Sequence, residues 1–239
     1  MKKMVSVGLV VFCAALFLAS PVAAFESSAD AYVSVYSKYL WRGFDLNMPD
    51  DDFVVQPGAD VSIGNFTVSF WGNISEDTGD MNEVDLTLDY SSTLGDLVGF
   101  SVGNILYDVD GVSDTNELYL GVSLNTILEP ALTIYYDYDE FKTVYTTLGI
   151  GHGFTLSEAL ALSLGATASY LADDEQDGFG TDDSWFHNLE LSAGLDYSYN
   201  DNITISGAAL YSEPLSDDAE DIAGIDQEFT AGVTLSYAF

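Results

Sequence analysis

The sequence predicts an all-β protein: a transmembrane, antiparallel, up-and-down β-barrel of about twelve strands, preceded by a cleavable signal peptide. Three observations support this fold class. Many short segments alternate apolar with small polar residues, the connections between them are alternately short and long, and the chain ends on an aromatic residue. Because successive side chains of a strand point to opposite faces, each segment has one face suited to lipid and one suited to a polar lumen.

The amino-terminal segment, residues 1–24, is predicted to be the signal peptide. Lys2 and Lys3 form a basic start, residues 4–18 are largely apolar, and small residues around Ala24 suit cleavage there. A membrane anchor would need about 20 apolar residues, which this run does not provide. The barrel is therefore expected to span residues 25–239 and to contain no cysteine, since the single cysteine is Cys13.

The strand-like segments of the barrel are mostly long enough to cross hydrocarbon as tilted strands, which takes about 9–11 residues. They cover residues 30–42, 53–63, 66–74, 83–91, 98–107, 116–124, 131–138, 143–153, 160–171, 186–198, 203–212 and 227–239. Leu160, Leu162 and Leu164 show the apolar phase clearly, with Ser163 and Gly165 in the opposite phase. Short turns alternate with longer polar loops, which is typical of an even-stranded barrel with both termini on the periplasmic side.

Four residues break the alternation. Ser37, Asn104 and His152 fall on the predicted lipid face. For the latter two, a β-bulge at Gly103 or near Gly151 and Gly153 is predicted to turn the side chain away. Pro57 lies inside the second segment and cannot donate a ladder hydrogen bond, so a bulge or a missing ladder bond is predicted there.

Charge separates the two faces further. The chain has 39 Asp and Glu residues against 5 Lys and Arg, a net charge of −34, which disfavours binding to nucleic acid. Adaptation to a saline habitat is an alternative source of this acidity. Most acidic residues fall in the predicted long loops, and those within strands fall in the phase opposite the apolar residues. A carboxylate facing lipid would be strongly destabilising, so this placement supports the registers.

Aromatic residues gather at both ends of the predicted strands. At the long-loop side they are Trp41, Phe53, Phe70, Tyr107, Tyr138, Phe141, Tyr170, Trp185, Phe186, Tyr211 and Phe229. At the short-turn side they are Tyr32, Phe66, Tyr90, Phe154, Tyr197, Tyr199, Tyr237 and Phe239. Two such girdles are typical of a barrel anchored at both membrane interfaces.

Catalytic and cofactor motifs are not apparent, and the chain is not expected to be an enzyme. The histidines, His152 and His187, lack the nearby Ser-Asn-Gly-type segment that outer-membrane phospholipases carry. No zinc-ligand pair, Walker loop or dinucleotide fingerprint occurs. Carboxylates are dense at 108–114 and 173–183, where weak screening by divalent cations is favoured over a defined metal site.

The lumen is the strongest candidate for function. Twelve strands about 4.8 Å apart, tilted by about 40°, enclose a backbone diameter of roughly 24 Å, which side chains reduce to a narrow channel or a filled interior. The predicted pore-lining residues are Lys38, Arg42, Asp60, Asp85, Asp89, Glu117, Asp137, Glu190 and Asp196. Lys38 and Arg42, set against an acidic wall, predict a polarised constriction that prefers cations. Alternatively, the two cations neutralise interior carboxylates in a plugged barrel.

Motifs in the first third of the chain resemble the TorF-type porin family of Gram-negative bacteria. They are Tyr39-Leu40-Trp41-Arg42-Gly43, Gln56-Pro57-Gly58-Ala59-Asp60 and Phe70-Trp71-Gly72-Asn73. Their counterparts in the family are a tyrosine-aromatic-arginine-glycine strand, a Gln-Gly-Asp strand and a Trp-Gly hairpin. Pro57 stands where a glycine is usual. The resemblance implies an outer-membrane porin.

The carboxy-terminal segment, 227–239, places Tyr237 and Phe239 in its apolar phase. It resembles the closing strand of outer-membrane barrels, where the terminal aromatic residue serves as the assembly signal. A soluble periplasmic β-sandwich would also explain the alternation, but not this terminus or the two girdles.

The predicted function is passive diffusion of small solutes through a narrow acidic lumen in the outer membrane, reached by Sec-type export. Expected partners are outer-membrane lipid, the barrel-assembly machinery, small solutes and, at the acidic loops, divalent cations. The alternative function is a non-conducting barrel whose acidic outer loops bind divalent cations or a surface partner.

Overall fold

The computed structural model describes residues 26–47, 52–76, 79–173, 178–181 and 183–239. The predicted signal peptide, residues 1–24, lies outside these ranges. Within them, no helix has the length and apolar character needed to cross a membrane.

Twelve long antiparallel strands form one closed barrel. They are β1 (Ser27–Tyr36), β4 (Val54–Ile63), β5 (Phe66–Ser75), β6 (Met81–Leu94), β7 (Val98–Val109), β8 (Thr115–Leu124), β9 (Ala131–Asp137), β10 (Val144–Ser157), β11 (Leu160–Ala172), β12 (Ser184–Ser198), β13 (Ile203–Pro214) and β14 (Glu228–Ala238). The short strands β2 (Leu40–Trp41) and β3 (Phe44–Asp45) pair with each other, and the helix α1 (Asp217–Asp221) precedes β14. The predicted antiparallel up-and-down β-barrel of twelve strands is confirmed.

Each barrel strand pairs with its neighbours in chain order, and β1 closes the barrel by pairing with β14. The predicted strands match the observed ones to within a few residues, with one exception. The first segment was expected to run over 30–42, but β1 ends at Tyr36, and the chain then turns into the barrel. The prediction that Lys38 and Arg42 lie on a wall strand is therefore wrong.

The barrel has two distinct ends. At the terminal end, where β1 begins and β14 ends, the connections are short; at the opposite, loop end they are mostly longer. The apolar phase of the strands faces outward, as the neighbouring residues Leu118 and Glu117 illustrate. Leu118 is 50% exposed, whereas Glu117 is 4% exposed and hydrogen bonds within the barrel.

The predicted bulges at Asn104 and His152 are absent, because β7 and β10 keep a continuous register through both positions. Asn104 stays on the outer face and donates to the Glu117 carbonyl at 2.6 Å, which satisfies its amide. His152 packs edge-on against Phe154, with ring centroids 4.6 Å apart. At Pro57 the β4–β5 ladder skips residues 56 and 57, which confirms the predicted missing ladder bond.

Aromatic residues pair on the outer surface at both ends of the barrel. Phe66 packs against Tyr90 at the terminal end, with centroids 4.9 Å apart, and Tyr170 packs against Phe186 at the loop end, 5.5 Å apart. Three residues assigned to the loop-side girdle face inward instead. They are Trp41, Tyr107 and Trp185, so their assignment to the lipid interface is wrong.

The main apolar core lies inside the loop end of the barrel. Tyr145, Leu171 and Trp185 on the β10–β12 wall are buried together with Ala219 of α1 and Ile225 of the β13–β14 connection. Phe44 of β3 also packs against this cluster. Because loop segments supply half of it, the core fixes these connections inside the lumen.

Candidate functional site

Residues 37–47 form a hairpin that enters the lumen from the end of β1. Its turn consists of Arg42 and Gly43, with φ of 51° and 85°. Positive φ at both central residues is what a two-residue type I′ turn requires, and its twist suits the flanking strands. Glycine adopts this conformation readily, but arginine does not, so contacts elsewhere must hold Arg42 in it.

Glu117 of β8 provides the strongest of these contacts. The Arg42 nitrogens Nη1 and Nη2 each donate to one Glu117 carboxylate oxygen at 2.7 Å, and the Tyr107 hydroxyl donates to Oε2 at 2.8 Å. Such two-point, charge-assisted pairs are among the strongest hydrogen-bonded contacts in proteins. The tip of the hairpin is thereby anchored to the wall opposite its origin.

Three aromatic rings surround the Arg42 guanidinium. Its Cζ lies 4.3 Å from the ring centroid of Tyr145, 4.4 Å from that of Trp41 and 4.7 Å from that of Tyr135. A guanidinium within about 6 Å of an aromatic face is attracted by the ring quadrupole. Burial lowers the pKa of Arg42, but hydrogen bonding and attraction to Glu117 outweigh this and raise it. Arg42 is therefore a permanent cation.

His187 of β12 supports the backbone of the turn. The Trp185 Nε1–H donates to His187 Nδ1 at 3.1 Å, and His187 Nε2 lies 3.0 Å from the Arg42 carbonyl oxygen. Because an indole nitrogen only donates, Nδ1 must accept, which leaves the imidazole proton on Nε2 for the Arg42 carbonyl. His187 is thus a neutral positioning residue.

Lys38 and Tyr39 hold the stem of the hairpin. Lys38 Nζ lies 2.8 Å from Asp45 of β3 and 2.6 Å from Glu228 of β14. Burial lowers the pKa of Lys38, but the hydrogen bonds to these two carboxylates raise it by more. The pKa of Lys38 is therefore above its ordinary value. Tyr39 packs against Trp71 of β5, with ring centroids 5.4 Å apart. The stem is therefore fixed to β14 on one side of β1 and to β5, the strand beyond β4, on the other.

Gly43 permits the tip to approach β12 closely. A Cβ at this position would lie 3.2 Å from both Asn188 Nδ2 and Ile225 Cδ1. Asn188 is itself held in place, since its Nδ2 donates to Ser212 at 2.9 Å and Glu190 at 3.1 Å. The hairpin as a whole contacts β5, β8, β9, β10, β12 and β14, and so crosses the whole loop end of the lumen.

Cavities lie inside the described part of the barrel, and two of them are lined by wall residues. One of about 410 Å³ lies beside the hairpin stem, between Tyr39 and a wall of small residues that includes Ser163, Ser192 and Gly194. The other, of about 310 Å³, lies towards the terminal end on the β6–β9 side, lined by residues such as Ser101 and Thr133. Both linings mix apolar side chains with serine and threonine hydroxyls, and the hydroxyls can hydrogen bond to water or to small polar solutes.

The predicted pore-lining residues have different surroundings in the structure. Glu117 binds Arg42, Asp89 accepts from the Tyr119 hydroxyl, and Glu190 accepts from Asn188. Asp137 instead caps the β9–β10 connection, accepting from Thr115 Oγ1 at 2.7 Å and from the backbone nitrogen of Asp139 at 3.0 Å.

The remaining predicted acids are not drawn into the hairpin contacts. Asp60 lies opposite Asp30 across the β1–β4 ladder, and Asp196 lies opposite Ser206, both towards the terminal end. Asp85 is close to the hairpin, and its Oδ1 is buried without a hydrogen-bond partner among the described residues.

Several residues of the site were missed or misplaced by the sequence reasoning: Trp71, Tyr107, Tyr135, Tyr145, His187 and Asn188. Their positions on the inner face follow from strand alternation, but their contacts depend on where the hairpin sits. One local signal was available: Arg42-Gly43 between Leu40-Trp41 and Phe44-Asp45 has the form of a two-residue hairpin.

Comparisons with solved structures show barrels of the same fold. A NanC porin structure aligns over 87% of this chain and 98% of its own, with 13% identity and a TM-score of 0.56. A KdgM porin aligns over 89% and 99%, with 13% identity and a TM-score of 0.57. The COG4313 outer membrane channel from Pseudomonas putida F1 aligns over 92% and 99%, with 9% identity and a TM-score of 0.53.

Sequence comparisons add no relative: no family model matches the chain, and no curated protein matches it. At such low identity the structural similarity concerns the fold alone. The chain therefore shares its closed β-barrel fold with solved porins and channels.

Proposed function

We propose that this protein is an outer-membrane channel of the porin type, through which small solutes diffuse passively, with a preference for cations. The closed barrel with an apolar outer face supports membrane insertion. The cavities within the lumen, with hydroxyl groups in their linings, support passage of solutes, and the hairpin of residues 37–47 forms the constriction. Membership of the TorF-type family is part of this proposal and rests on the motifs at 39–43, 56–60 and 70–73.

The observation that carries the cation preference is the pairing of both hairpin cations. Arg42 binds Glu117, and Lys38 binds Asp45 and Glu228, so neither presents an unopposed positive charge to a passing ion. Asp89 and other lumen acids then set the sign of the field, and rings of carboxylates favour cations. One solved structure of this fold is a KdgM porin in complex with oligogalacturonate; an acidic lumen would repel such an anionic sugar.

Conductance in a planar bilayer under a potassium chloride gradient tests this function. We expect discrete conductance steps and a reversal potential of the sign that marks cation selectivity. An anion-selective potential would show that Lys38 and Arg42 dominate the constriction despite their partners. Heat-modifiable gel migration shows whether the protein is folded. If folded protein gives no conductance steps, the channel function is contradicted.

A non-conducting barrel is the second candidate. The observation in its favour is that the hairpin contacts walls all round the loop end of the lumen. Its acidic loops would then bind divalent cations or a surface partner. Calcium titration of folded protein, followed by calorimetry, distinguishes a saturable site from weak screening.

Export and assembly complete the proposal. Residues 1–24 would be removed, residues 25–239 would form the mature barrel, and the assembly machinery would recognise the final strand with Tyr237 and Phe239. Amino-terminal sequencing of protein purified from outer membranes tests the cleavage, with Phe25 expected as the first residue.

A further inference from the structure

We propose that the hairpin of residues 37–47 is the gate of this channel and that the Arg42–Glu117 ion pair is the latch that keeps it shut. The inference rests on the proposed channel function and adds a mode of regulation to it. Four features of the structure support it: a wall that is complete without the hairpin, side-chain attachment of the tip, a backbone conformation that depends on docking, and a cavity beside the stem.

The barrel wall does not need the hairpin. β1 pairs directly with β4 along its whole length, from Ser27 opposite Ile63 to Tyr36 opposite Val54. The hairpin leaves the wall after Tyr36, and β2 and β3 pair only with each other among the described strands. Beyond Ser37, whose N–H donates to the Ala231 carbonyl, the hairpin can therefore swing away from the lumen without breaking a β1–β4 or β1–β14 ladder hydrogen bond.

Side chains make most of the contacts between the hairpin and the walls, and one backbone bond at its base continues the pairing of β1 with β14. Near its base, Ser37 N donates to the Ala231 carbonyl at 2.9 Å, and Thr230 Oγ1 donates to the Lys38 carbonyl at 3.0 Å. At the tip, the two Arg42–Glu117 bonds and the His187–Arg42 bond span the lumen. The base contacts would hold the hairpin next to β1 while it moves, as a hinge does. The tip contacts would hold it in the docked position, as a latch does.

The conformation of Arg42 depends on the docked state. A φ of 51° is unfavourable for a residue with a Cβ and persists only where surrounding contacts stabilise it. Here those contacts are Glu117 and the rings of Trp41, Tyr135 and Tyr145. Removing the Glu117 charge weakens the contacts that hold this conformation, so the docked tip loses stability relative to a released one.

Release of the hairpin would open a continuous path. The docked hairpin contacts both sides of the lumen at the loop end, and the cavity of about 410 Å³ lies directly beside its stem, lined in part by Lys38, Tyr39 and Leu40. With the hairpin displaced, this cavity would join the solvent at the loop end.

Trypsin reports the position of the hairpin in the natural protein. Beyond the predicted signal peptide, the only lysines and arginines are Lys38, Arg42 and Lys142, so cleavage at the first two measures release and cleavage at Lys142 is the internal reference. Proteolysis of a transiently opened segment follows the population of its open state. We expect Glu117→Gln to speed cleavage after Lys38 or Arg42 by roughly tenfold or more, because it removes one partner of a buried charge pair.

Glu158→Gln is the matched control, because it removes the same charge from an exposed turn at the terminal end, far from the hairpin. The cleavage pattern of this variant should equal that of the wild type. The same samples are then measured in the planar bilayer. Glu117→Gln should spend more time in its conducting state than the wild type.

The outcomes separate the gate from the channel. Equal cleavage in wild type and Glu117→Gln, with conductance present in both, overturns the gate and leaves the channel standing. Faster cleavage without any conductance from folded protein overturns the channel. If Glu117→Gln fails to fold, replacement of residues 38–46 by a short glycine-serine linker decides instead, because a barrel without its gate must conduct more than the wild type.

Discussion

Arg42 and Glu117 form a two-point ion pair across the lumen, between a hairpin that follows β1 and a strand, β8, on the far side of the barrel. The pair is enclosed: the side chain of Arg42 is 13% exposed and that of Glu117 5%. Buried ions must be compensated, because the desolvation of an unpaired charge is strongly unfavourable. The contact therefore determines both the position of the hairpin and the charge balance of the constriction.

Removal of either partner of this pair should destabilise the barrel more than removal of both. Arg42→Ala or Glu117→Ala leaves one buried charge unopposed, with an expected loss of about 3–5 kcal/mol in the free energy of unfolding. The double variant leaves neither charge, so its loss should be clearly smaller than the sum. Urea unfolding in detergent, followed by gel migration of unboiled samples, measures all three; additive losses would mean that the two charges do not interact.

The close approach of the hairpin tip makes Gly43 sensitive to substitution. Gly43→Ala should lower stability by about 1–3 kcal/mol, since it introduces a Cβ at positive φ that meets Asn188 and Ile225. Gly95→Ala is the control: Gly95 has φ of 63°, but nothing lies within 4 Å of its added Cβ. The difference between the two unfolding free energies isolates the packing contribution at the tip, and equal losses would show that the tip is not docked.

Asp89 should contribute to cation selectivity, whereas Asp85 should not. Asp85 Oδ1 is buried without a hydrogen-bond partner among the described residues, and an uncompensated buried charge is strongly unfavourable, so we expect this side chain to be neutral. Asp85→Asn should therefore leave the reversal potential under a salt gradient near the wild-type value, with the stability of the barrel unchanged or increased. Asp89→Asn should move the same potential towards zero. Asp137→Asn provides the contrast in stability, because Asp137 accepts hydrogen bonds that cap the β9–β10 connection and its loss should lower stability. A reversal potential unchanged by Asp89→Asn would mean that ions pass elsewhere.

The terminal aromatic residue should affect assembly more than folding. Phe239 is 78% exposed, and its ring packs only edge-on against Tyr237, with centroids 4.9 Å apart. Phe239→Ala should therefore reduce the amount of barrel recovered from outer membranes while leaving refolding into detergent unchanged. Phe229→Ala, at the other end of the same strand and also outward-facing, should leave membrane recovery near the wild-type amount. Equal recovery of both variants would contradict an assembly role for the terminus.

Strand number, order and inner face were predictable from sequence because their signal is local. The alternation of apolar and polar residues over 160–163 or 117–120 indicates which side chains face lipid. A charge on the lipid-facing side would be strongly unfavourable. Short turns then impose antiparallel pairing between neighbours, which leaves an up-and-down barrel as the simplest closed arrangement. The same local signal failed after Tyr36, since Lys38, Leu40 and Arg42 continue the alternation of β1 although the chain leaves the wall.

By itself, therefore, the sequence determined the barrel and its two faces, since these depend on hydrophobic periodicity within each strand. Only the tertiary structure decided that residues 37–47 enter the lumen and contact its opposite walls. That outcome depends on Arg42 meeting Glu117, 75 residues further along the chain, and on His187, 145 residues away. Pairings at such separations are created by closure of the barrel, which brings opposite walls within reach of one side chain.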